Sequence, residues 1–250
     1  MENYRYFLEL SYKGTHYHGW QIQKNANTIQ AELEKAISII LKKNTAIMGS
    51  GRTDTGVHAL QQYAHFDSEE LLDEMDFLKK LNSLIPRDIA GYSLKKVKEE
   101  AHTRFDAIWR SYVYRISLRK NPFDQEYSWT LYQKPNVEKM NEAAGILLKF
   151  EDFQCFSKVH TDVNHFNCKI KTAHWEQFEH QLLFHITANR FLRGMVRAIV
   201  GTLISVGMEK TSMEEFVRII ESKDRSQAKS AAPPHGLYLS KIIYPENLFI

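Results

Sequence analysis

The residues best placed to do chemistry lie in the stretch GSGRTDTGVHAL, residues 49–60, where Arg52, Asp54 and His58 stand among Gly49, Gly51 and Gly56. Glycines at this spacing let a backbone take positive φ and carry a charged side chain into a cleft. An arginine two residues before an aspartate suits a pair in which the guanidinium keeps the carboxylate ionised and oriented. Such a carboxylate can serve as nucleophile, general base or metal ligand. The same spacing also suits a surface turn held by an Arg–Asp pair, and the residue types alone leave both readings open. No Gly-Lys-Ser/Thr follows, so this is not a P-loop.

Three other groups carry possible chemistry. Arg190, Arg193 and Arg197 fall at i, i+3 and i+7, which places them on one face of a helix expected over 189–206, opposite Phe191, Leu192, Met195, Val196, Ile199 and Val200. That face is either solvated or aimed at phosphates. Tyr112 and Tyr114 share one face of an expected strand, so one can be core while the other lines a cleft. Cys155, His160, His165 and Cys168 are spaced C-x4-H-x4-H-x2-C, a set that could hold tetrahedral zinc but does not match a standard finger. Lys158, His160 and Asp162 of the same loop either add contacts to a bound partner or are local decoration.

These side chains need elements to hold them. Alternation over 4–12 predicts a strand, and helical spacing over 28–43, with Thr28 as N-cap, predicts a helix. A short strand near 46–48, a strand near 62–66, a helix over 69–84 closed by Pro86, and a strand over 91–98 complete the order β-α-β-β-α-β, the ferredoxin-like unit. The second half predicts a strand over 109–118, a helix over 136–149, and strands at 168–178 and 181–188 about a turn at Glu179–His180. The 189–206 helix, a short helix capped by Thr211 or Ser212, and a last strand over 236–244 follow. The fold expected is α+β: two ferredoxin-like, RRM-like halves with antiparallel sheets flanking a central cleft. Residues 1–105 carry the aspartate loop and 106–250 complete the cleft. The acidic run DSEELLDEMD, 67–76, reads as a solvated helix start turned away from any nucleic acid.

Composition bounds the function. The 250 residues are 43% hydrophobic and 25% charged, which excludes a disordered or low-complexity chain. Two cysteines cannot build a disulfide framework, and the N-terminus lacks the apolar run of a signal peptide, so a cytoplasmic protein in a reducing compartment is expected. No stretch reaches the roughly 18 apolar residues of a membrane helix. The closest, 195–206, contains Arg197. A net charge of +3 permits a nucleic-acid partner without requiring one.

The loop GSGRTDTGVHAL resembles GxGRTDxGVHA, the signature of the TruA family of tRNA pseudouridine synthases, with Thr55 where alanine is commoner. Four further blocks resemble the family in the same order: GTHYHGWQIQ at 14–23, RFDAIWRSYVYRI at 104–116, FLRGMVRAIVGTL at 191–203 and APPHGLYL at 232–239. The resemblance implies an isomerase that converts uridine to pseudouridine at positions 38, 39 and 40 of the tRNA anticodon stem-loop. It implies no cofactor and no metal, and a homodimer in which one tRNA arm spans both subunits. Asp54 falls on the catalytic aspartate, which attacks the target nucleotide or helps form a glycal-type intermediate. Arg52 falls on an arginine associated with base flipping and phosphate contacts. Tyr112 falls on the active-site tyrosine, placed to stack on the flipped uracil and help remove its C5 proton. Arg197 is expected to form a salt bridge with the catalytic aspartate, Arg190 and Arg193 to touch phosphates, and Leu237 to pack under the target base. A non-catalytic RNA-binding module on the same fold is the alternative. Asp54 counts against it, since an acid in a basic cleft repels phosphate.

Overall fold

The computed structural model describes residues 3–159 and 164–250. The chain divides into two compact units. The first runs to Ile108 and takes back Leu239–Ile250, and the second is Trp109–Tyr238. The domain expected at 106–250 therefore differs from this division in its C-terminal segment. Both units are mixed α and β, with mostly antiparallel strands.

In the first unit β1 (Tyr4–Tyr12) lies between β3 (His58–Ser68) and β4 (Ile89–Val97), antiparallel to both, and the short β2 (Met48–Gly49) pairs with β3. Helix α1 (Ile29–Leu41) starts where the Thr28 side chain accepts from Ala31 N, as the sequence predicts, a cap that contributes about 1 kcal/mol. It buries Ile29, Leu33, Ala36 and Ile37. Helix α2 (Glu74–Leu84) begins five residues later than expected, with Asp73 as its N-cap. The first part of the acidic run is instead the end of β3, where Asp67 meets the Arg5 guanidinium at 2.7 Å.

The alternation in β1 is broken by Phe7, which is as buried as Tyr6 and Leu8. Tyr6 stacks with Phe66, which stacks on Phe77 of α2, so one face is covered by a helix. The other face is covered by the C-terminal segment: Phe7 packs edge-on against Tyr244 and Phe249, and Tyr63 also meets Tyr244. Backbone bonds fasten that segment, from Ile108 N to Ile243 O at 2.8 Å and from Lys98 N to Leu248 O at 3.1 Å.

In the second unit β5 (Trp109–Ser117), β8 (Gln181–Ala188) and β7 (Ile170–Gln177) pair in that order, all antiparallel, and β6 (Trp129–Thr130) runs parallel to the end of β5. The expected turn at Glu179–His180 is present, closed by Phe178 N on Gln181 O. Helices α3 (Val137–Ile146), α4 (Met195–Gly207) and α5 (Met213–Ser222, capped by Ser212) complete the unit. The last strand, β9 (Leu237–Ile243), crosses the division. Among the described residues no helix is long and apolar enough to cross a membrane.

One expectation fails here. The long helix over 189–206 does not exist: α4 begins only at Met195, because Gly194 sits at φ 73° in the left-handed region as its N-cap. Arg190 and Arg193 precede the helix in an irregular turn, so the three arginines do not form a helical stripe.

Candidate active site

The Asp54 loop is built by its contact with a second, distant stretch of the first unit. Residues 14–20 run against residues 49–58 through main-chain bonds: Trp20 N donates to Thr53 O at 3.2 Å and Gly56 N to Tyr17 O at 3.4 Å. The approach is so close that side chains are excluded. A Cβ on Gly14 would sit 2.0 Å from Val57 O, and one on Gly19, at φ 88°, would sit 2.4 Å from Thr53 O and 3.2 Å from Asp54 C. Gly49 leaves room for the Trp20 indole, which a Cβ would meet at 2.4 Å. The sequence motifs at 14–23 and 49–60 are thus two sides of one construction.

Buried hydrogen bonds lock the loop at both ends. The Tyr12 hydroxyl lies 2.8 Å from Thr53 Oγ1, and Gly14 N donates to His58 Nδ1 at 3.0 Å. His58 is 1% exposed at the start of β3, not in the loop, and so serves as a fastening point. Gln62 donates to Gly51 O, and Ser50 N donates to Tyr63 O. Within this frame Asp54 is half-buried, its carbonyl accepting from Val57 N at 3.1 Å, and Arg52 is exposed. Tyr17 is fixed by its hydroxyl donating to Asp88 at 2.7 Å. Tyr12, Gly14, Tyr17, Gly19 and Trp20 do positioning work that the residue types at 49–60 do not reveal. The 14–23 motif was the signal for all of them but Tyr12, which lies at the end of β1.

The second unit holds most of the other three motifs: residues 109–116, 191–203 and 232–238. Tyr114 is fully buried, its hydroxyl donating to Pro233 O at 2.8 Å, and burial raises its ionisation above the usual phenol range. Tyr112, on the same strand face, is half-buried and meets Phe191 edge-on at 5.0 Å. One tyrosine of the pair is therefore core and the other is accessible. Arg197 and Ala232 exchange bonds in both directions: Arg197 Nε donates to Ala232 O at 2.7 Å, and Ala232 N donates to Arg197 O at 2.9 Å. Gly201 lets this segment approach α4, since a Cβ there would lie 1.9 Å from Ser230 O. Gly236 likewise admits the Tyr114 ring, at 2.7 Å from its own would-be Cβ. Leu237 follows directly and is 6% exposed. His235 stands between these elements with its pKa lowered, first by burial and further by the Arg197 charge.

The turn before α4 is basic. Arg193 is exposed, and its carbonyl accepts from Lys158 N at 2.8 Å, which brings these two cations together. Arg190 reaches the His165 ring at 3.2 Å, and Arg110 donates to Asn189 O at 2.9 Å. The positive end of α4 adds to the field of this cluster. Of the suggested zinc set, His160 lies outside the described residues, as does Asp162 of the same loop. Cys155 and Cys168 are buried, and burial pushes their thiols up to about 12 and about 11.

Comparison with known proteins gives a consistent result. The sequence profile of the family described as tRNA pseudouridine synthase matches residues 10–106 and 150–245. The chain is 47% identical over 248 residues to a tRNA pseudouridine synthase A of Bacteroides thetaiotaomicron, covering 98% of this chain and 92% of that one. A protein of the same name from Bacteroides fragilis is 49% identical, with 98% of each chain covered. One from Porphyromonas gingivalis is 48% identical, covering 98% of this chain and 99% of that one.

Proposed function

The chain belongs to the tRNA pseudouridine synthase family, and from that membership we propose that it isomerises uridine to pseudouridine at positions 38, 39 and 40 of the tRNA anticodon stem-loop. Asp54 is the carboxylate that acts on the target nucleotide. What supports this reading most is the clasp around its loop: main-chain bonds and side-chain-free contacts on both sides fix the backbone that carries the carboxylate. Catalysis draws on such preorganisation, because a group fixed before substrate arrives costs no reorganisation during the reaction.

The other roles follow the resemblance residue by residue. Arg52, exposed two residues before Asp54, contacts the flipped nucleotide's phosphate. Tyr112 stacks on the extruded uracil and assists loss of the C5 proton, a role that agrees with its being the accessible tyrosine of β5. Arg197 is assigned to catalysis and Leu237 to packing against the base. Arg190, Arg193 and Lys158 bind phosphates, a reading that the basic turn supports. The reaction draws on no cofactor and no metal. Each unit is a ferredoxin-like half, the protein works in the cytoplasm, and two copies act together on one tRNA.

The deciding experiment incubates the protein with unmodified tRNA, without added metal, and maps pseudouridine by chemical adduct and primer extension beside Asp54→Ala. New stops in the anticodon arm that the variant lacks establish the reaction and the carboxylate. Tight binding without stops overturns the catalytic reading in favour of an RNA-binding module.

A further inference from the structure

On the sheet of the second unit, three side chains with metal-ligating atoms stand together away from the residues assigned above. His174 of β7 is directly opposite His185 of β8 in the antiparallel register, and Glu176 lies two residues along β7 on the same face. The two imidazoles stack almost parallel, 13° apart, with centroids 5.1 Å apart. The Glu176 carboxylate spans both, its Oε1 at 3.6 Å from His174 Nε2 and its Oε2 at 3.4 Å from His185 Nε2. The ligating atoms of the three all lie within 4.8 Å of one another.

These separations are long for charge-assisted hydrogen bonds, which run at roughly 2.7–2.9 Å. They fit something else. Donors at about 2.0–2.1 Å from a tetrahedral zinc ion stand about 3.4 Å from each other. His185 Nε2 is also shut off from solvent, and its contact with Glu176 Oε2 lacks the geometry of a hydrogen bond. A buried ring nitrogen left in that state is costly, a cost that a coordinated cation removes.

We propose that His174, Glu176 and His185 form a site for a divalent transition-metal ion of the zinc class, with the fourth coordination position open. Two imidazoles and a carboxylate are borderline donors that favour such ions over calcium or magnesium. The site takes no part in uridine chemistry. His185 pairs across the sheet with Val113, and Tyr112, one residue earlier, faces the opposite side. Its effect is mechanical: β7 ends the β5-β8-β7 ladder, and an ion shared by His174 and His185 cross-links that strand to its neighbour.

The test titrates the full chain with Zn2+ by calorimetry and follows its melting temperature with and without the ion. The expected result is one ion per chain and a raised melting temperature. In His174→Ala the affinity falls at least about tenfold and the temperature shift is lost. His174 is half exposed, so this variant keeps the fold, and its pseudouridine formation without metal stays at the wild-type level. Co2+ in place of Zn2+ gives a visible tetrahedral absorption that Glu176→Gln weakens. Absence of binding overturns the proposal, as does binding that His174→Ala and Glu176→Gln leave unchanged, which would place the ion on other histidines.

Discussion

The Asp54 loop and the Arg190–Gly194 turn are both irregular segments that present charge, yet they are held in opposite ways. The first is fixed through its main chain, with a glycine at each point where another backbone crosses it and buried hydrogen bonds at Thr53 and His58. The second is tethered at a few backbone atoms, while its arginine side chains reach outward. The difference matches the role proposed for each charge. A reacting carboxylate must be within a fraction of an ångström of its target before the substrate binds. A guanidinium that meets phosphate can find its partner by moving, since the attraction is strong and broadly directed. Substitutions in the first segment should therefore be all-or-none, and those in the second graded.

The strongest break in this contrast comes from Asp54→Asn, which should reduce pseudouridine formation by about 10³-fold or more while the chain still retains tRNA on a filter. Loss of binding in parallel would make Asp54 a structural residue. Next come two glycines, one packed against the loop and one within it. Gly19→Ala forces a Cβ onto Thr53 O at positive φ, and turnover should drop by about 10²-fold with a lowered melting temperature. Gly51→Ala meets nothing within 4 Å and should leave both unchanged. Equal effects of the two would mean that the clasp does not position Asp54. Tyr112→Phe keeps the ring and its contact with Phe191, so single-turnover rates should fall by about 10²-fold at near-normal affinity; a wild-type rate would remove the hydroxyl from the chemistry. The smallest effect belongs to Arg193→Ala. Its tRNA affinity should weaken by less than about tenfold, and the slope of log K against log salt should fall by about one. An unchanged slope would take Arg193 off the phosphates.

Much of this was legible in the residues. Thr28 announced α1, Thr211 or Ser212 announced α5, where Ser212 is the cap, and the alternation around Glu179–His180 announced a hairpin, because each signal is local and the structure respects it. The Asp54 loop was equally plain from its glycines. What could not be read was set by contacts between distant segments. The apolar spacing of 191–200 looks continuous with a helix from 189, and nothing nearby says that Gly194 turns left-handed. Phe7 violates the alternation of β1 because Tyr244 and Phe249 return to cover it, more than two hundred residues later. For the site, the residue types made Asp54 a candidate and the family resemblance gave it a role, but only the fold explains why residues 14–20 must accompany it.

That return of the C-terminal segment also sets an order of assembly on the ribosome. The second unit is one unbroken stretch, Trp109–Tyr238, and every residue it needs has been synthesised before Leu239 is added. The first unit, translated earlier, must wait with one face of β1 and β3 uncovered until Tyr244 and Phe249 emerge. The part of the chain that carries Asp54 is thus made first and finished last, and during that interval its apolar strands are the surface a nascent-chain chaperone would meet.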